Sequence, residues 1–123
     1  MTCIHLGLHK TASSTLRQSL FAAHSQIEYL GRVDGYGPRF GKSMMNEISD
    51  RLPRCKDDAT LEMWRRAVIC ITAPALLNGR VPVLSREGLG FDYARFAMNI
   101  ERVFRRAKII LVVRHPVHWV ESW

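Results

Sequence analysis

Apolar positions divide the chain into alternating strand-like and helix-like stretches. Cys3 to Leu8 alternates and is mostly apolar, which predicts a buried first strand. His9-Lys10-Thr11-Ala12-Ser13-Ser14-Thr15 follows, a turn of small and hydroxyl-bearing residues. Leu16, Leu20, Ala23 and Ile27 then recur at helical spacing and predict a helix buried on that side. Ile27 to Leu30 fits a short strand. Gly31 to Lys42 holds four glycines and Pro38, the composition of a loop. Met44 to Leu52 predicts a short helix, and Pro53 to Asp58 a polar break. Ala59 to Leu77 predicts a longer helix closed near Asn78-Gly79, which Pro74 should kink or end early.

The remaining sequence keeps the same alternation. Val81 to Ser85 predicts a strand led in by Pro82. Asp92 is placed to cap a helix reaching Arg106, with Phe96, Ile100, Val103 and Phe104 along one side. Lys108 to Val113 is a continuous apolar run after its lysine, the mark of a strand buried on both faces. Arg114-His115-Pro116 stops it, and Pro116 suits the first turn of a helix that reaches barely two turns at Trp123. Strands alternating with helices predict an α/β fold: three layers, a parallel sheet between flanking helices. A length of 123 residues suits a single domain, 1–123.

Composition narrows the class. Hydrophobic content of 47% and charged content of 24% exclude collagen-like and disordered chains. Eighteen Lys and Arg against 11 Asp and Glu give a net charge of +7, and 14 of the 18 are Arg. The guanidinium fork suits phosphate, sulfate and carboxylate, which points to an anionic partner. Three cysteines (Cys3, Cys55 and Cys70) with no CxxC pair disfavour a disulfide framework or a zinc site. No apolar run approaches the roughly 20 residues of a membrane span, and no signal-peptide core precedes His9-Lys10. The expectation is a reduced, cytoplasmic protein with no membrane span.

Two constellations carry chemistry. A tight turn between a strand and a helix directs backbone N–H groups and the positive helix end at one spot. Lys10 adds a full charge there, and Thr11, Ser13, Ser14 and Thr15 add hydroxyl donors. The turn departs from GxxxxGK[ST], because Lys10 comes early with no glycine just before it. The second constellation is Arg114, at the carboxyl end of the last strand, with Ser122 eight residues on. In a parallel sheet the carboxyl ends of neighbouring strands share a crevice, so Lys10 and Arg114 converge if their strands are neighbours.

Together these residues resemble the PAPS-dependent sulfotransferase family, especially its bacterial and carbohydrate-acting members. PAPS is 3′-phosphoadenosine-5′-phosphosulfate. Leu6-Gly7-Leu8-His9-Lys10-Thr11-Ala12-Ser13-Ser14-Thr15 is similar to that family's 5′-phosphosulfate loop, and Arg114-His115-Pro116 through Ser122 to its 3′-phosphate motif. The resemblance implies a P-loop-like nucleotide-binding fold, incomplete at this length, since the family is usually longer and the match covers its N-terminal portion. It implies that Lys10 and the turn Thr11, Ala12, Ser13, Ser14, Thr15 hold the 5′-phosphosulfate, and that Arg114 and Ser122 hold the 3′-phosphate. PAPS would be the co-substrate, PAP the product, and the acceptor a small molecule or carbohydrate bearing a hydroxyl or amine. No metal is required, because a sulfuryl group carries less negative charge than a phosphoryl group.

An acceptor hydroxyl needs a general base. Glu87 follows the strand ending Leu84-Ser85-Arg86 and is the first candidate; pairing with Arg86 or Arg95 is its structural alternative. His9, beside Lys10, is the second candidate. His5 reads as a satisfied core histidine. His115 and His118 lack partners at metal-ligand spacing. Trp64, Phe96 and Phe104 read as core, and Trp119 and Trp123 as packing of the last helix. Arg65-Arg66 and Arg102-Arg105-Arg106 read as solvated faces able to steer an anion. Tyr36 and Arg39, in the glycine-rich loop, are placed to meet an acceptor.

Three other functions compete. A P-loop nucleotide kinase shares the strand-turn-helix, yet would want an acidic residue for Mg²⁺ where this chain has Arg114. A non-catalytic, truncated nucleotide-binding remnant needs only the fold. Nucleic-acid binding rests on charge alone, without a recognition motif, and is not expected.

Overall fold

The computed structural model describes residues 1–7, 15–30, 39–87 and 93–112. Four strands form one all-parallel sheet: β1 (Cys3–Gly7), β2 (Ile27–Tyr29), β3 (Val81–Glu87) and β4 (Lys108–Val112), in the order β2-β3-β1-β4. Three α-helices accompany it: α1 (Arg39–Arg51), α2 (Asp58–Leu77) and α3 (Tyr93–Phe104). A short π-helix spans Leu16–Phe21, and a 3-10 turn spans Leu52–Arg54. Parallel neighbours need crossover connections, so this order makes an α/β domain with flanking helices.

Strand alternation sorts the residues of β1 between two faces. Ile4 and Leu6 join Leu84, Met45, Ile48, Leu61, Trp64, Val68, Phe96, Ile100 and Val103 in one core, which therefore collects α1, α2 and α3 on a single face. His5 lies on the opposite face, where its ring meets Phe21 of the π-helix edge-on at 5.4 Å. Trp64, Phe96 and Phe104 are buried as their spacing implied.

Helix ends follow local chemistry. Asp57 caps α2, accepting the Thr60 N–H at 2.9 Å and the Thr60 hydroxyl. At the other end Gly79 adopts φ +68, while Arg80 N–H bonds the Ala75 carbonyl and Gly79 N–H bonds the Leu76 carbonyl. That pair is a Schellman closure, and it needs a left-handed residue that glycine supplies without a Cβ clash. Buried Asn99 of α3 donates to the carbonyls of Leu52 at 2.7 Å and Cys55 at 3.0 Å, tying the 3-10 turn to α3.

Five expectations need correction. The helix foreseen after Thr15 is a single π turn. Its Ala22 N–H bonds the Arg17 carbonyl, five residues back, so Phe21 rather than Leu20 turns inward, and Leu20 is 42% exposed. The helix foreseen from Met44 begins at Arg39, so Arg39 to Lys42 is helical rather than part of the expected loop, whose other residues, 31–38, lie outside the described residues. α2 continues through Pro74 to Leu77. Pro74 removes one N–H, but the buried stripe of Leu61, Trp64, Val68, Thr72 and Ala75 holds the helix on its path, and Asn78 N–H still bonds the Pro74 carbonyl. α3 stops at Phe104, because Arg105 and Arg106 take positive φ values of 34 and 54.

The largest correction concerns β4. Its apolar run predicted burial on both faces, yet Ile109 is 49%, Ile110 38% and Leu111 55% exposed. The strand order explains this: β4 lies at the end of the sheet and pairs only with β1 among the described residues. Ile109 and Leu111 alternate with Ile110, so neither face is fully covered.

Candidate functional site

The carboxyl edge of the sheet is a rim of strand ends in register. Gly7, the last residue of β1, pairs with Glu87, the last of β3, and with Val112, the last of β4. The condition set by the sequence is therefore met: the strands that lead to Lys10 and Arg114 are parallel neighbours.

Connectivity adds a second feature. From β1 the chain goes on to β2, at one end of the sheet; from β3 it goes on to β4, at the other. Neighbouring strands whose connections depart in opposite directions leave a crevice outside their carboxyl ends, the usual ligand site of an open α/β sheet. The switch point here lies between β1 and β3. It brings the backbone of Glu87 beside the start of the Lys10 turn.

His9, Lys10, Thr11, Ala12, Ser13 and Ser14 lie outside the described residues, as do His115, His118, Trp119, Trp123, Tyr36, and Arg114 and Ser122, the two residues expected to hold an anion. Thr15 is described: it is exposed, has helical backbone angles (φ −62, ψ −47) and makes no side-chain capping bond. Its hydroxyl is thus uncommitted to the helix start. Arg39 opens α1.

Below the rim, two residues back from Gly7 and Glu87, His5 and Ser85 stand directly opposite in register. His5 Nδ1 and Ser85 Oγ are 2.8 Å apart, and both side chains are buried. His5 is the core histidine that the sequence suggested, with Nδ1 partnered by Ser85 Oγ. Ser85 went unread as its partner, although a buried polar residue on a neighbouring strand is where such a partner is sought. The bond ties β1 to β3 beneath the switch point.

Among the described residues no group of three His, Cys, Asp or Glu side chains is placed to hold a metal ion, and no helix is long and apolar enough to cross a membrane. Comparison with protein-family models, curated proteins and solved structures returns no match for the chain.

Proposed function

We propose that this chain is the PAPS-binding part of a sulfotransferase, which moves a sulfuryl group from PAPS to a hydroxyl or amine of a small molecule or carbohydrate. One observation carries most of the weight: β1 and β4 are parallel neighbours whose last residues, Gly7 and Val112, are paired. Lys10 is three residues beyond Gly7, and Arg114 two beyond Val112. At most roughly 3.5 Å of chain per residue separates each from the rim. One nucleotide with anions at its 5′ and 3′ positions is the ligand such a pair of cations suits.

In this reading the acceptor oxygen attacks sulfur. The new O–S bond forms as the bond between sulfur and the bridging phosphate oxygen breaks, and PAP departs with that electron pair. Lys10 and the N–H groups of the turn stabilise the charge gathering on the bridging oxygen, an electrostatic contribution fixed before the reaction begins. Glu87, at the end of β3, takes the acceptor's proton, with His9 as the alternative base.

Calorimetric titration tests the reading. PAP should bind without Mg²⁺, and Arg114→Ala should weaken it by about 1.5 kcal/mol or more, the scale of a charge-assisted hydrogen bond. ATP binding that needs Mg²⁺, with none for PAP, would favour a kinase instead. Unchanged PAP affinity in Arg114→Ala would remove the 3′-phosphate role, and no nucleotide binding at all would leave only the fold.

A further inference from the structure

A second basic feature lies away from the rim. Arg105 and Arg106 fall between α3 and β4, just before Lys108, and so stand at the amino edge of the sheet. With Arg65 of α2 and Arg102 of α3 they line a cavity of about 500 Å³, whose other walls are Glu62 and Glu101. Four guanidinium groups thus face two carboxylates. Glu62 is already shared: its Oε2 lies 3.2 Å from Arg65 Nε, and its Oε1 lies 3.2 Å from Arg66 Nε. Arg102 gives one nitrogen to Asp58 Oδ1 at 2.7 Å.

One observation sets this cluster apart from an ordinary solvated face. Arg105 and Arg106 occupy consecutive left-handed positions, φ 34 and 54. Glycine is the easy occupant of such a connection, and a side chain with a Cβ is disfavoured there. Strained backbone of this kind concentrates at ligand sites. Here it delivers two long cationic side chains to one cavity wall.

We propose that this cavity is an anion site for a small ligand carrying neighbouring oxyanion groups, phosphate or sulfate, gripped by the guanidinium forks of Arg105 and Arg106 with Arg65 and Arg102 behind them. The fork geometry matches two oxygens of one such group, and a ligand with two groups engages both arginines. The site is distinct from the carboxyl rim, so it stands whether or not PAPS binds there.

The test is calorimetry on the full chain with two probes, inorganic pyrophosphate and a disulfated disaccharide, at matched ionic strength. Arg105→Gly/Arg106→Gly is the main variant, because glycine relaxes both left-handed positions and so spares the fold. The site predicts that at least one probe binds, and that this variant weakens it at least tenfold. Arg105→Lys/Arg106→Lys, which keeps charge and loses the fork, should fall between. Arg54→Ala/Lys56→Ala, which removes two charges elsewhere, should leave the affinity unchanged. Preference for one probe tells phosphate from sulfate. Failure of both probes to bind at millimolar concentration would overturn the proposal, leaving these arginines to the carbonyl end of α3 alone. Equal losses in the Arg54→Ala/Lys56→Ala control would also overturn it, because general charge would then explain the binding.

Discussion

His5 Nδ1 and Ser85 Oγ, eighty positions apart in the chain, meet at 2.8 Å beneath the carboxyl edge of the sheet. Both side chains are buried. Truncating one partner leaves the other's polar atom desolvated, which costs more than the bond itself contributes. Ser85→Ala should therefore lower stability by about 1–3 kcal/mol, on the scale of a buried polar group left unsatisfied. Urea unfolding with an unchanged slope checks this. A loss under about 0.5 kcal/mol, the scale of a neutral surface change, would show that the pair carries nothing.

Pro74 gives a prediction of opposite sign. It is exposed, it lies inside α2, and it lacks the N–H that would reach back to the Cys70 carbonyl. Packing keeps the helix intact despite that loss. Pro74→Ala restores the donor and relieves the ring's crowding of the preceding turn, so it should stabilise the protein by about 1–3 kcal/mol. A fall in the urea midpoint would mean that the ring itself packs against a neighbour.

These two residues mark how far the sequence can be read. The alternation of strand and helix was legible, because each apolar stripe has its own period: β1, β3, α2 and α3 sit close to where the pattern put them. The turn at Gly79 was equally local, whereas the cap at Asp57 lay inside the stretch expected to be a polar break. Burial of β4 was not legible. An apolar run states what a strand can tolerate, whereas its place in the sheet depends on which strands pair with it, a non-local fact. The π turn was missed for a related reason. A helical wheel assumes 3.6 residues per turn, and one bond reaching five residues back exchanges Leu20 for Phe21. For the site, the sequence supplied the chemistry and a condition, that the Lys10 and Arg114 strands be neighbours. Pairing in the sheet supplied the neighbours.

Asp57 makes α2 sensitive to acid. The Thr60 hydroxyl and then the Thr60 N–H, both donating to its carboxylate, hold its pKa below the ordinary 3.8. A carboxyl group with a depressed folded-state pKa stabilises the native protein above its unfolded pKa, and loses that contribution as pH falls through the folded value. The stability gap between wild type and Asp57→Ala should therefore be full near neutrality and shrink below pH 3.8. Asp57→Asn, which retains acceptor oxygen without titrating, should lose less at neutral pH and show no such window. A gap that stays constant on acidification would deny the carboxylate this role.

The uncovered face of β4 predicts a behaviour of the whole molecule. Leu111 is 55% exposed on a strand at the end of the sheet, and exposed apolar edge strands promote association. Leu111→Lys should change stability by no more than about 0.5 kcal/mol, as surface substitutions do. It should also reduce self-association, followed by light scattering on concentration. A stability loss of 2 kcal/mol or so, the size of a core truncation, would mean that Leu111 is packed after all.

Glu87 tests the assignment of the base. It ends β3 beside Gly7, at the switch point where the connections from β1 and β3 part. If it accepts the acceptor's proton, Glu87→Gln should lower the turnover rate by about 10²–10⁴, the range of general-base catalysis, and leave PAP affinity intact, because the proposed function assigns the nucleotide to other residues. The acidic limb of the rate–pH profile, which reports protonation of the base, should disappear with it. A normal rate in Glu87→Gln, with the acidic limb retained, would pass the role to His9. His9→Asn should then remove that limb while Lys10 continues to hold the nucleotide. A binding role for Glu87 is separated by the same two readings, since it would raise the KM for acceptor and leave the pH profile of the turnover rate in place.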